Sequence, residues 1–356
     1  MTPIDLRSDT LTKPTEAMLE RMRTAELGDD SRDGDPTVRA LEALAAERTG
    51  KQAGLFMVSG TMTNLVAQLT HGQRGGVVLL EANAHILRSE LGGIAQIAGL
   101  FHRPIPGVRG AMDLDQLAEA ISPGLTPHRL GTSLICMETT HNDASGAVLP
   151  LDHMAAVHAL GQRHGVPVHT DGARLFNAAV KLGVPAERIA RHTDSLCFCV
   201  SKGLSAPIGS VLVGSHDFIL RARTFRRMIG GNLRQGGSLA AAGIVALETM
   251  VDRLADDHAV ARRLADGLHR VDARLVAPER VETNIIQVDT APSGRSAAEW
   301  IAELDKEGVR AGAWSTNLMR LVTHRHIGVA EAERAVEAFA TVARRLAQAR
   351  PRQVAE

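Results

Sequence analysis

The chain has 356 residues, enough for one large domain with a smaller one beside it or for two of ordinary size. Hydrophobic residues make up 44% and charged residues 22%, the balance of a globular rather than a disordered protein. Lys+Arg and Asp+Glu stand at 40 each, so no bulk field draws the chain to nucleic acid or to an anionic membrane.

The N-terminus, Met1 to Leu6, lacks a basic region followed by an apolar core, which argues against a secretory signal. No apolar run approaches the roughly 20 residues of a membrane-spanning helix. Residues 37–49 carry Val38, Leu41 and Ala45 at helical spacing and stop at Gly50. A short strand is expected over 54–58, then Ser59-Gly60-Thr61 opening a helix over 62–70. Further strands are expected over 77–80, 133–137, 166–169, 195–200 and 210–213, with helices over 150–164 and 185–192 between them. The strands are short and apolar on both faces, so the alternation predicts an α/β class with a central, largely parallel sheet covered by helices. After Gly236-Gly237 an Ala-rich helix over 238–260, interrupted near Asp252, leads to a smaller α+β region with a helix over 296–307 and strands over 283–289 and 318–323. Cys136, Cys197 and Cys199 all fall in strand-like runs, which suits buried reduced thiols in the cytoplasm rather than a disulfide or a zinc site.

Two residues carry the chemistry. Asp171 follows the apolar run that ends at Val168, and Lys202 follows the run 195–200. In an open α/β sheet, residues at strand ends gather in the crevice where ligands bind. An amine and a carboxylate delivered there are what pyridoxal 5'-phosphate needs: the lysine holds the cofactor covalently, and the aspartate keeps the ring nitrogen protonated. Ser59, Gly60 and Thr61 precede this pair at the start of a helix, where backbone N–H groups form an anion site suited to phosphate. An ordinary helix entry has the same composition.

Motifs along the whole chain then resemble the low-specificity L-threonine aldolases, in the β-eliminating lyase group of aspartate-aminotransferase-like (fold type I) pyridoxal phosphate enzymes. They are Leu6-Arg7-Ser8-Asp9-Thr10, Gly28-Asp29-Asp30, Phe56 to Met62, Glu138-Thr139-Thr140-His141-Asn142, His169 to Ala178, Ser201-Lys202-Gly203 and Arg234-Gln235. The resemblance implies a large domain over 1–245 with a mostly parallel seven-stranded sheet, its N-terminal segment packing on a small C-terminal domain over 246–356. It implies that Lys202 holds the cofactor, Asp171 partners the ring nitrogen, His85 stacks on the ring, and Ser59, Gly60 and Thr61 take the phosphate. Arg174 is implied on both the cofactor and the substrate side. Arg234 is implied to reach towards the phosphate from a neighbouring subunit. Ser8, Arg174 and Arg320 match a clamp for the amino-acid carboxylate, a task that suits the planar fork of arginine. The implied reaction is retro-aldol cleavage of threonine, allo-threonine and related β-hydroxy-α-amino acids to glycine and an aldehyde. His85 and His141 are the two imidazoles offered as base. A homotetramer with active sites at subunit interfaces is the family precedent, and no metal, nucleic acid or membrane partner is implied.

The chain departs from the family at three positions. Arg32 replaces a usual tyrosine in the Gly28 to Pro36 loop, Ser145 replaces a usual glycine, and Arg227 a usual lysine; tyrosine is absent from the chain. A guanidinium at position 32 opens an alternative: a same-fold lyase acting on an anionic β-hydroxy amino acid such as 3-hydroxyaspartate, with Arg32 binding the substrate. Other pyridoxal phosphate reactions use Lys202 and Asp171 equally, so His85 and His141 discriminate among them. A nucleotide-dependent dehydrogenase lacks its Gly-x-Gly-x-x-Gly opening here. A pyridoxal-binding regulator would need a basic DNA-binding helix that the chain does not carry.

Overall fold

Seven strands build the main sheet: β1 (Ala53–Met57), β2 (Val77–Glu81), β3 (Phe101–Ile105), β4 (Thr132–Glu138), β5 (Val168–Asp171), β6 (Ser195–Cys199) and β7 (Ser210–Gly214). They lie in the order β1-β7-β6-β5-β4-β2-β3. From β6 to β3 every pairing is parallel, whereas β7 runs antiparallel to both of its neighbours. The structure is a computed structural model and describes residues 3–348 apart from 123, 125 and 127. Every residue of β5 and β6 is buried, as strands covered on both faces should be. The edge strand β3, Phe-His-Arg-Pro-Ile, exposes its first four residues. Its charge and proline blunt an open sheet edge, and they also hide the strand from a search for apolar runs.

The chain divides into two units, Lys13–Asp252 and the N-terminal segment through Thr12 joined with the residues from Arg253 onward. In the first, the helices Gly60–His71 and His216–Met228 pack Val66, Ala67, Phe218, Ile219 and Ala222 against Leu55, Met57, Cys197 and Leu212 of the sheet. In the second, the antiparallel strands Ile285–Asp289, Leu318–Val322 and Gly312–Ser315 form a three-stranded sheet. The helices Leu254–Val271, Ala297–Lys306 and Val329–Gln348 bury Leu264, Leu268, Trp300 and Phe339 in the core of that unit.

Where one interrupted helix is expected over 238–260, two form, Gly237–Thr249 and Leu254–Val271. The second begins with Asp256 and Asp257 in its first turn, where carboxylates complement the helix dipole, and Arg253 clamps Asp257 at 2.7 Å. β5 also runs further than expected, to Asp171 itself, so that carboxylate is the last residue of the strand. Ser145 has φ +58, a left-handed backbone that glycine adopts without cost, which accounts for the usual glycine there.

One glycine shapes the approach to Lys202. Gly209 has φ +116, and a Cβ placed on it would lie 2.3 Å from the Phe56 ring. Its carbonyl accepts from the Val200 N–H at 3.0 Å and from Ser201 Oγ at 3.2 Å, closing the loop that carries the lysine. Gly209→Ala is therefore expected to lower unfolding stability by about 3 kcal/mol, from backbone strain and overpacking together. A loss below about 0.5 kcal/mol in urea titration would contradict this account.

Candidate active site

Parallel strands deliver their C-terminal ends to one side of the sheet, and the chemistry collects there. Glu81 ends β2, Glu138 ends β4 and Asp171 ends β5, with Glu138 and Asp171 directly paired in register. His85, His141 and Lys202 follow β2, β4 and β6 by a few residues.

Asp171 is buried, yet both of its oxygens are engaged. Oδ1 accepts from the Ala173 N–H at 3.0 Å, and Oδ2 accepts from Asn64 Nδ2 at 2.8 Å. Burial alone would raise its pKa, but the charges of His85 and Lys202 and these hydrogen bonds win, and the carboxyl is held below its usual range. Lys202 thus lies close enough to Asp171 for its charge to be felt there. His85 opens the short helix His85–Arg88 and keeps about a third of its side chain exposed (32%). Its backbone N–H donates to Glu138 Oε2 at 2.6 Å, and its Nδ1 meets Glu90 Oε1 at 3.1 Å. Burial opposes protonation of this imidazole, but the bond to Glu90 and the charges of Asp171, Glu90 and Glu138 raise its pKa on balance. One ligand atom from each of His85, Glu90 and Asp171 falls within 4.8 Å of the others.

His141 is placed differently. It is 1% exposed, with Nε2 at 3.1 Å from Glu81 Oε2 and 3.8 Å from Glu138 Oε2. Burial lowers its pKa, and the charge of Glu138 with the bond to Glu81 more than offsets this, so the imidazole is held above its ordinary value. Ser59 caps the helix Gly60–His71, its Oγ accepting from the Met62 N–H at 3.2 Å. A Cβ on Gly60 would meet Cys199 Sγ at 2.9 Å, so glycine lets the helix start close on the end of β6. Thr61 is exposed in the first turn, whose N–H groups have no partner within the helix. An amine, an ionised buried carboxylate and an anion-competent helix start fit a phosphorylated pyridine aldehyde.

Arg174 is buried and sits at the N-cap of the helix Leu175–Leu182. Arg234 is exposed and pairs with Asp29 at 2.7 Å, which ties it to the Gly28 to Pro36 loop. That loop is pinned by Asp30 to Arg226 and by Asp35, which accepts from the Gly28 N–H at 2.9 Å and the Gly237 N–H at 2.8 Å. Arg32 is exposed on the same loop, and Arg227 is exposed near the end of the helix His216–Met228. In the other unit, Arg320 donates to the Arg7 carbonyl at 3.3 Å and lies 4.7 Å over the Trp314 ring, beside the segment that carries Ser8. Ser8 Oγ there accepts from the Thr10 N–H at 3.2 Å.

The β-eliminating lyase family profile matches residues 5–291. The chain belongs to the β-eliminating lyase family. A low-specificity L-threonine aldolase 1 from Arabidopsis thaliana is 41% identical over 343 residues, covering 95% of this chain and 96% of the relative. The solved Leishmania major threonine aldolase superposes with TM-score 0.82 at 20% identity, covering 96% of this chain and 100% of that one. A Thermus thermophilus aspartate aminotransferase double mutant superposes with TM-score 0.73 at 16% identity, covering 96% and 92%, which places this lyase in the fold type I architecture.

Three residues that border this candidate site are given no role by sequence reasoning: Asn64, Glu90 and Glu138, the last named only as part of a motif. Asn64 and Gln68 stand four apart on the buried face of the helix Gly60–His71, which also carries Thr63 and Thr70, so only the fold shows that these polar side chains form a buried network. The network continues inward. Asn64 Nδ2 lies between two carboxylates, so its Oδ1 is the atom that faces His169 Nε2 at 3.1 Å and Cys197 Sγ at 3.2 Å. His169 therefore donates from Nε2. Its Nδ1 accepts from Ser195 Oγ at 2.9 Å, and Ser195 Oγ accepts in turn from His71 Nε2 at 2.8 Å.

Burial holds His169 neutral, with its pKa lowered from 6.5 to about 4. The unfolded chain takes up a proton near pH 6.5 that the folded chain refuses, so stability is full above that pH and is lost as pH falls towards 4. This one group is expected to remove about 3 kcal/mol across that window. His169→Asn should flatten the wild-type dependence of unfolding free energy on pH by that amount; identical slopes in the two proteins would refute it.

Proposed function

We infer that the protein is a pyridoxal phosphate-dependent aldolase that cleaves L-threonine, L-allo-threonine and related β-hydroxy-α-amino acids to glycine and an aldehyde. Its cofactor is pyridoxal 5'-phosphate. The observation that carries this reading is the ionised, doubly hydrogen-bonded Asp171 set near Lys202 with the partly exposed His85 beside them. The names of the relatives at about two-fifths identity point the same way.

Lys202 would hold the cofactor through its amine, Asp171 would accept from the ring nitrogen, and Gly60 and Thr61 would supply N–H groups to the phosphate. When bound, the cofactor supplies an electron sink for the pair released as the Cα–Cβ bond breaks. Asp171, kept ionised at neutral pH, holds the opposing positive charge in place. On the sequence resemblance, Arg174 would grip the substrate carboxylate and hold the amino acid in one orientation. For Ser8, Arg320 and Arg234 the binding roles rest on the sequence resemblance. The accessibility of His85 favours it over the enclosed His141 as the group that takes the β-hydroxyl proton. With the β-hydroxyl proton held on His85 the aldehyde would leave, that proton would be available to return to Cα, and glycine would depart, with Lys202 the amine that holds the cofactor between turnovers.

Three buried free thiols, Cys136, Cys197 and Cys199, support a reducing compartment, the cytoplasm. Among the described residues no helix is long and apolar enough to cross a membrane. The exposed Arg234, paired with Asp29 of the pinned Gly28 to Pro36 loop, supports the family precedent of active sites completed by a neighbouring subunit in a homotetramer. Incubation with L-threonine should release acetaldehyde and glycine in equal amounts. Release of 2-oxobutyrate and ammonia instead would overturn the aldolase reading.

A further inference from the structure

We propose that Glu90 and Asn64 are positioning residues that lock His85 to Asp171, the Asn64 amide bridging the two carboxylates while Glu90 holds Nδ1 of the imidazole. The inference rests on the aldolase reading of this site. Glu90 is 7% exposed and Asp171 2%, so two carboxylates share one dry pocket. They are kept together by a single NH₂ group, which donates to Glu90 Oε1 at 2.9 Å and to Asp171 Oδ2 at 2.8 Å. The same Glu90 oxygen receives His85 Nδ1 at 3.1 Å. An ionised Glu90 accepts the Nδ1 proton, so in the neutral imidazole Nε2 is the nitrogen left with a lone pair. With its Oδ1 taken by His169 and Cys197, Asn64 has every hydrogen-bonding position used and its orientation fixed.

The local sequence inverts the usual pattern. In Arg88-Ser89-Glu90-Leu91 the acid is buried and the leucine is 91% exposed, with Leu91 at φ +54 turning the chain. A buried charge facing another carboxylate is costly unless hydrogen bonds offset it, and here the Asn64 amide and His85 Nδ1 supply them. Burial and the charge of Asp171 push the Glu90 carboxyl up, while Asp171 is held down by His85 and Lys202, so the two acids sit in opposed environments. The groups that face His85 are Glu90 from its own segment, Glu138 from β4 and Asp171 from β5; those that face Glu90 are His85, Asn64 and Asp171.

The test compares wild type with Glu90→Gln, which keeps shape and an acceptor oxygen but removes the charge. Holoenzyme labelled with ¹⁵N-histidine is titrated by NMR, and kcat and KM for L-threonine are measured beside it. Glu90→Gln should move the His85 titration down by about one pH unit and lower kcat by ~10–100-fold with KM within about threefold of wild type. An unchanged His85 titration, or an unchanged kcat, overturns the proposal. The titration needs no substrate. If wild type itself released no acetaldehyde while His85 still shifted, the aldolase reading would fall and the positioning of His85 would stand.

Discussion

Lys202→Ala is expected to leave a folded protein whose threonine cleavage has dropped by roughly a thousandfold or more. The loop that carries this side chain is closed by backbone bonds. Ser205 N–H donates to the Lys202 carbonyl at 2.8 Å, Ala206 N–H to the Val200 carbonyl at 2.9 Å and Val200 N–H to the Gly209 carbonyl at 3.0 Å, all backbone bonds that alanine keeps. The amine, and the charge it presents to Asp171, are therefore removed while the backbone bonds of the loop are kept. The variant should also lose the visible absorption of a covalently held cofactor. Thermal unfolding within a few degrees of wild type separates this from misfolding. A variant that kept a tenth of wild-type turnover would remove Lys202 from the chemistry.

Asp171→Asn should cost about as much in kcat, roughly a thousandfold, corresponding to about 4 kcal/mol of transition-state stabilisation. Asparagine is the same size, but its NH₂ cannot replace a carboxylate oxygen. One side of the new amide must face either Asn64 Nδ2 or the Ala173 N–H, both donors, so a donor is left without an acceptor. A stability loss of ~1–3 kcal/mol should accompany the kinetic one. Because Lys202 is intact, the variant should still bind the cofactor covalently and absorb in the visible while turning over slowly. Retained colour with lost rate is the pattern expected from an impaired electron sink; turnover within tenfold of wild type would show that the ring nitrogen has another partner.

The proposed pair, Lys202 and Asp171, is legible in the sequence because each member borders a run of buried apolar residues, and strand ends in a parallel sheet converge. The supporting groups are not, for reasons that differ residue by residue. Glu90 sits in a stretch that reads as a solvated turn, and only the left-handed Leu91 and the inversion of polarity reveal it. Asn64 follows Thr63 on a helix whose polar residues read as surface, although both are buried against the sheet. Glu138 stands in a recognisable motif, yet nothing local indicates that its two oxygens take the backbone N–H groups of His85 and Asn142, at 2.6 and 2.7 Å. Such long-range pairings depend on which strands are neighbours, and chain order does not state that β4 lies between β5 and β2. The edge strand β3 was hidden for a different reason: exposure selects against the apolar signature that identifies its neighbours.

The chain has five lysines: Lys13, Lys51, Lys181, Lys202 and Lys306. Lys51 donates to the Thr193 carbonyl at 2.5 Å and Lys306 pairs with Glu303 at 2.5 Å, so each already has a structural partner. Reduction of the holoenzyme with borohydride, digestion and mass spectrometry of the pyridoxyl-bearing peptide asks directly which amine holds the cofactor. The modification is expected on Lys202 alone, and to vanish in Lys202→Ala. A modified Lys13, Lys51, Lys181 or Lys306, or no modified peptide from a yellow wild-type protein, would contradict the account.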